Sequence, residues 1–159
     1  MDKKFSHLTR EGNPTMVDVA SKTPTHRSAT ARTLVKLPKE IIDQLQNDDI
    51  HTKKGPVFQT AILAGIMAVK KTSELIPLCH PLPISKCTVD IAVDENQMVV
   101  IDCLAKTVGP TGVEMEALTG ATVAALTIYD MCKGFSHDIV IHQTKLMKKE
   151  GGKSDFERS

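Results

Sequence analysis

Between Gly109 and Lys133 the chain reads GPTGVEMEALTGATVAALTIYDMCK, and this stretch restricts the fold more than any other. Gly109, Pro110 and Gly112 punctuate a turn, and no further proline occurs before Lys133. Two acids at the start, Glu114 and Glu116, and a lysine at the end, Lys133, both suit the macrodipole of a helix. Pro110 and Thr111 stand where such a helix would be capped. Ala117, Gly120, Ala121, Ala124 and Ala125 are all small, so a second element can approach this helix closely. Packing does not account for the polar residues at its two ends, with Asp130 and Lys133 at one and Glu114 and Glu116 at the other.

The rest of the chain supplies strands and helices to pack against it. From Arg27 to Leu37, Ala29, Ala31, Thr33, Val35 and Leu37 alternate with polar positions, Leu34 excepted, a period of two that predicts a strand. Pro38 opens a short helix expected over 39–46, ended by Asn47-Asp48-Asp49. Proline is favoured at the first helical position, so a longer helix is expected from Pro56 to about Glu74. Phe58, Ile62, Leu63, Ile66 and Val69 form its core-facing stripe. The apolar loop LIPLCHPLPI (75–84) is stiffened by three prolines and carries one polar pair, Cys79-His80. Strands are expected over 86–93 and 98–107 with a turn at Asp94-Glu95-Asn96-Gln97, and a last strand over 138–147 follows the long helix.

The order β-α-β-β-α-β predicts an α+β fold of the ferredoxin-like kind, an antiparallel sheet with helices on one face. Residues 1–25 read as an irregular N-terminal arm, 26–148 as a single domain and 149–159 as a flexible polar tail. A sheet covered on one side leaves the other free for a neighbour. With one tyrosine, four phenylalanines and no tryptophan, bulky core residues are scarce, and a homo-oligomer is expected.

Composition excludes several classes of partner. A net charge of +1 and 3% aromatic residues offer neither a polyelectrolyte footprint nor stacking platforms, so no nucleic acid is expected. No apolar run reaches the roughly 20 residues of a membrane span, and MDKKFSHL has no signal-peptide h-region. Cys79, Cys87, Cys103 and Cys132 are widely spaced and contain no C-x-x-C, which suggests reduced thiols and a cytoplasmic protein. No cofactor and no metal site is called for.

Three constellations carry candidate chemistry. Asp130 and Lys133, three apart on a helix, share a face with Cβ atoms about 5–6 Å apart. On spacing alone, a solvated ion pair is the plainer reading; the functional one is a base beside an acid. Cys79-His80 suggests a thiol nucleophile, a metal-ligand pair or a substrate-gripping imidazole. Adjacent side chains diverge in an extended loop, so His80 is poorly placed to activate Cys79 and is better read as a binding residue. Lys54, ahead of a helix N-terminus, could attract phosphate, although no G-x-x-x-x-G-K pattern surrounds it. Glu116 and Asp130 lie fourteen residues apart, about 21 Å along a continuous helix. They therefore serve different purposes, or two subunits each contribute one end to a shared site.

VDV near the N-terminus, LIPLCHPL, TGVEMEALT, ALTIYDMCK and GGKS follow in that order, and with them the chain resembles the cyclic pyranopterin monophosphate synthases, the MoaC proteins of molybdenum cofactor biosynthesis. The likeness runs from Met16 to Ser154. It departs at Pro56, where an acidic residue is expected, and at Asp155, where glycine is usual. The resemblance implies a ferredoxin-like subunit in a hexamer, a trimer of dimers with sites at the dimer interface. It implies a lyase that converts 3′,8-cyclo-7,8-dihydro-GTP to cyclic pyranopterin monophosphate and releases pyrophosphate. By the same resemblance Asp130, Lys133 and Lys54 are catalytic, and Leu78, Cys79, His80, Met115 and Glu116 bind substrate, with Glu114 adjacent. Two competing readings are a cysteine-dependent hydrolase or transferase using Cys79, and a non-catalytic ferredoxin-like binding module.

Overall fold

A computed structural model describes residues 7–159; the first six residues of the expected arm lie outside the described residues. Four long strands and two long helices dominate: β1 (Thr25–Lys36), α2 (Val57–Lys70), β5 (Ile84–Val93), β6 (Met98–Gly109), α4 (Glu114–Cys132) and β7 (Val140–Glu150). Shorter elements fill the gaps: α1 (Lys39–Ile42), β2 (Leu45–Gln46), β3 (Asp49–Thr52), β4 (Gly55–Pro56), α3 (Thr72–Leu75) and β8 (Phe156–Glu157). The fold is α+β with antiparallel sheets. The main sheet runs β5-β6-β1-β7-β8, and β2-β3-β4 form a separate small sheet.

Alternation along β1 works as the sequence predicts. Ala29, Ala31, Thr33 and Val35 are buried, with Val99, Ile101, Cys103 and Ala105 of β6 beside them. α2 and α4 cover this face. The opposite row is half-buried and mixed, with Leu34, Val100 and Leu104 around a two-pronged Arg32–Asp102 ion pair at 2.7 Å. The turn between β5 and β6 is closed by the Asp94 carboxylate, which accepts from the N–H groups of Asn96 and Met98.

The stripe of small residues on α4 does what close packing requires. At Gly120 a Cβ would lie 2.5 Å from Cys103 Sγ and 2.6 Å from Val69 Cγ2, and at Gly65 one would lie 2.9 Å from Gly120 O. The two helices therefore meet backbone to backbone at Gly65 and Gly120. This contact turns α2 away from the expected stripe. Ala61, Gly65 and Ala68 join Phe58 and Val69 on the buried face, Ile62 and Ile66 are half-buried, and Leu63 is 64% exposed.

Other expectations shift locally. The short helix ends at Ile42, and Leu45–Gln46 begins the small sheet. Pro56 precedes α2 and brings no side-chain acceptor. The Asp49 carboxylate serves instead, accepting from the N–H groups of Phe58 (2.7 Å) and Gln59 (3.1 Å). The polar stretch expected to be a loose tail from Lys149 contains the end of β7, and Phe156–Glu157 returns to pair with Lys148 and Lys149. Asp155 takes part in that return, accepting from the Gly151 N–H at 3.0 Å.

Candidate active site

The two ends of α4 line two different cavities. At its C-terminal end Asp130 is exposed and held between two ammonium groups, Lys133 Nζ at 2.7 Å from Oδ1 and Lys54 Nζ at 3.1 Å from Oδ2. Lys133 lies one helical turn on. Lys54 arrives from the β3–β4 hairpin, whose turn is held by the Thr52 hydroxyl accepting from the Lys54 N–H and donating to Gly55 O. Gly55 has φ of 112°, a conformation that an L side chain rarely adopts. Hydrogen bonds from Lys133 and then Lys54 hold the Asp130 carboxyl below the ordinary carboxylate range, and Asp130 in turn pushes the Lys133 ammonium up. The group is thus a fixed carboxylate flanked by protonated lysines, beside a cavity of about 390 Å³ that Met131 and Phe135 also line.

At the N-terminal end a second cavity, of about 420 Å³, is lined by Leu78, Cys79 and His80 from the proline loop and by Glu114, Met115 and Glu116 from α4. Glu116 is only 4% exposed, and burial, with the charge of Glu114 adding to it, pushes its carboxyl up. His80 Nε2 donates to Val17 O at 2.7 Å, because a carbonyl only accepts. The N-terminal arm thereby sets the imidazole tautomer. Cys79 is pushed up, by burial first and by Glu116 second, and so stays a thiol. A nucleophilic cysteine needs the opposite environment.

All nine residues singled out in the sequence therefore fall into two groups, Lys54 with Asp130 and Lys133, and the proline-loop residues with Glu114, Met115 and Glu116. Sequence reasoning missed a third feature. Lys22, Arg27, Lys149 and Lys153 line a cavity of about 240 Å³ next to the N-terminal end of α4. Glu114 joins this cavity to the second one and is paired to Lys149 at 3.2 Å. Arg27 donates to Pro110 O, while its Nε is buried without an acceptor. The available signal was the GGKS run and the basic residues around it, which the polar character of the tail obscured. Among the described residues no group of three His, Cys, Asp or Glu side chains could hold a metal ion.

A family model described as the MoaC family matches residues 16–152. The chain belongs to the MoaC family. It is 53% identical over 153 residues to a cyclic pyranopterin monophosphate synthase of Xanthomonas axonopodis pv. citri, spanning 96% of this chain and 93% of that protein. Similarity extends to longer proteins. Molybdenum cofactor biosynthesis protein 1 of Dictyostelium discoideum is 49% identical over 170 residues, covering 96% of this chain but 27% of its own length. A molybdenum cofactor biosynthesis bifunctional protein of Synechocystis is 50% identical over 159 residues, covering 98% of this chain and 46% of its own length. As a MoaC-family chain, this protein has its TGVEMEALT and YDMCK runs at the two ends of α4, bordering separate cavities.

Proposed function

We propose that this chain is a cyclic pyranopterin monophosphate synthase, a lyase of molybdenum cofactor biosynthesis acting on 3′,8-cyclo-7,8-dihydro-GTP. The observation that carries the reading is Asp130 clamped between Lys133 and Lys54, in a chain 53% identical to a protein of that name. Opening a purine ring and closing a pterin moves protons on and off ring nitrogens, which calls for an acid and a base already in register. Forming a cyclic phosphate while pyrophosphate departs calls for fixed positive charge. Lys133 or Lys54 acts as the general acid and Asp130 as the base. With both ammonium groups bound to it, Asp130 is a weak base, and substrate that draws one lysine away strengthens it.

Leu78, Cys79, His80, Met115 and Glu116 bind the substrate, with Glu114 beside them. The cavity lined by Lys22, Arg27, Lys149 and Lys153, which outnumber its two carboxylates, Glu114 and Glu150, suits phosphate oxygens. Because the two ends of one α4 stand about 21 Å apart, a working site combines the start of α4 from one subunit with the end from another. The assembly is a hexamer, a trimer of dimers with sites at the dimer interface. The half-buried row on the open sheet face and the exposed Leu63, Met67 and Leu126 on the helices support association. We assign the subunit to the ferredoxin-like fold, with one catalytic domain over 26–148, the arm before it and the tail after it. We assign the protein to the cytoplasm; among the described residues no helix is long and apolar enough to cross a membrane.

The test is incubation of the purified protein with 3′,8-cyclo-7,8-dihydro-GTP. One equivalent of pyrophosphate and one of the pterin product are expected; consumption without pyrophosphate, or no consumption, contradicts the reading.

A further inference from the structure

Lys54 is exposed, on a hairpin of two very short strands, yet it reaches an aspartate 76 residues away in sequence. Two-residue pairings such as His51 with Pro56 and Thr52 with Gly55 do not by themselves fix a lysine on a helix end. The base of the hairpin is where it is tied down. Asp49 opens β3 and is 7% exposed. One carboxylate oxygen accepts from the N–H groups of Ile50 (2.6 Å) and Phe58 (2.7 Å), and the other from Gln59 (3.1 Å). A single side chain thus joins the first residues of β3 to the first turn of α2, closing the segment 49–59 into a loop with Lys54 at its tip. The first turn of α2 is in turn part of a helix packed along α4, with backbone contact at Gly65 and Gly120. Burial first, and the charge of Asp49 second, push the Cys132 thiol in the last turn of α4 up to about 11. Cys132 is the residue before Lys133.

We infer that Asp49 is a positioning residue: it registers the Lys54 hairpin against the end of α4 and so sets the Lys54–Asp130–Lys133 group. It touches no substrate and acts through Lys54. The proposal rests on reading that group as the reacting end. Capping of α2 alone is the bland alternative, since an aspartate bonded to first-turn N–H groups stabilises any helix.

The experiment separates the two. Asp130 faces Lys133 from its own helix and Lys54 from the hairpin, so its carboxyl titration, followed by ¹³C NMR, reports whether Lys54 is in place. Asp49→Asn keeps one acceptor oxygen but loses the second to an amide that cannot accept from Gln59. Pro56→Ser then supplies α2 with a local cap that has no tie to β3. In Asp49→Asn the Asp130 midpoint should rise toward the ordinary carboxylate range. kcat should fall by about 10-fold with KM nearly unchanged, since small misplacement of a reacting group is felt in the chemical step. Adding Pro56→Ser should restore the melting temperature and neither of these. In a Lys54→Met background Asp49→Asn should move the Asp130 midpoint no further. An unchanged midpoint in Asp49→Asn, an equal shift in the Lys54→Met background, or recovery of both readouts by Pro56→Ser would each overturn the proposal. The midpoint needs no substrate, so it fails or succeeds independently of the synthase assay on the unaltered protein.

Discussion

Asp130 and Glu116 are two carboxylates on one helix, and the chain treats them in opposite ways. Asp130 stands exposed between two ammonium groups and is held ionised; Glu116 is buried near a second acid and is pushed toward its neutral form. Charge partners dominate at one end and desolvation at the other. An ionised carboxylate beside protonated lysines suits proton transfer. A dry carboxyl beside His80 and Cys79 suits gripping a polar ligand, because its hydrogen bonds strengthen where water is excluded. The difference fits the proposed division of labour between the two ends of α4.

The sharpest way to break that division is Asp130→Asn. Turnover should drop by about 10²–10⁴-fold, the usual scale for losing a general base, while substrate binding stays within a few-fold by calorimetry. Retained turnover, or lost binding with an intact rate, would put the chemistry elsewhere. Because Asp130 is exposed and its ion pairs are solvent-screened, the melting temperature should hardly move at neutral pH.

Next in size is the joint that holds the two ends in one rigid frame. Gly120→Val places carbon atoms where Cys103 and Val69 already sit. It should cost about 1–3 kcal/mol, read as a lower denaturation midpoint with an unchanged m-value. Full stability would mean that α2 and α4 are not in backbone contact.

Glu116→Gln probes the other carboxyl through linkage. A carboxyl whose pKa is higher in the folded state binds protons more readily there than in the unfolded chain. Its contribution is therefore favourable in acid and lost as pH rises from the ordinary carboxylate range through the raised value. Glu116→Gln should accordingly raise the melting temperature at pH 7 relative to the parent, and that gain should vanish in acid below the ordinary carboxylate range. A gain that persists in acid would show that desolvation of charge is not the cause. Smallest of all is Cys79→Ser, which should leave kcat within about threefold, since a thiol kept protonated by its surroundings supplies no nucleophile. Complete loss would favour cysteine chemistry.

Much of this was legible in the chain. Ala29, Ala31, Thr33 and Val35 announce β1 by alternation, and Ala117, Gly120, Ala121 and Ala124 announce a closely packed helix. Asp130 and Lys133 announce their own pairing, because three residues on a helix is one turn. What escaped depends on contacts distant in sequence. The strands β2, β3, β4 and β8 are two to four residues long and hold too few positions to carry a period. Leu63 reads as core because periodicity cannot tell that Gly65, rather than a large residue, meets α4. In sequence Lys54 reads only as a lysine before a helix; its bond to Asp130 spans 76 positions and has no local signature. Lys22, Arg27, Lys149 and Lys153 come from the arm, β1, β7 and the tail, and only folding gathers them.

We propose that one end of α4 binds and the other reacts, in sites completed by different subunits. Mixed oligomers of Glu116→Ala and Asp130→Asn chains, each expected to be inactive alone, separate this arrangement from sites built within one chain. After dissociation and random reassembly, composite sites at a two-fold interface should return about a quarter of the parental turnover, since half the dimers are mixed and each regains one intact site. Well-mixed hybrids with no recovered turnover would rule out sites shared between subunits.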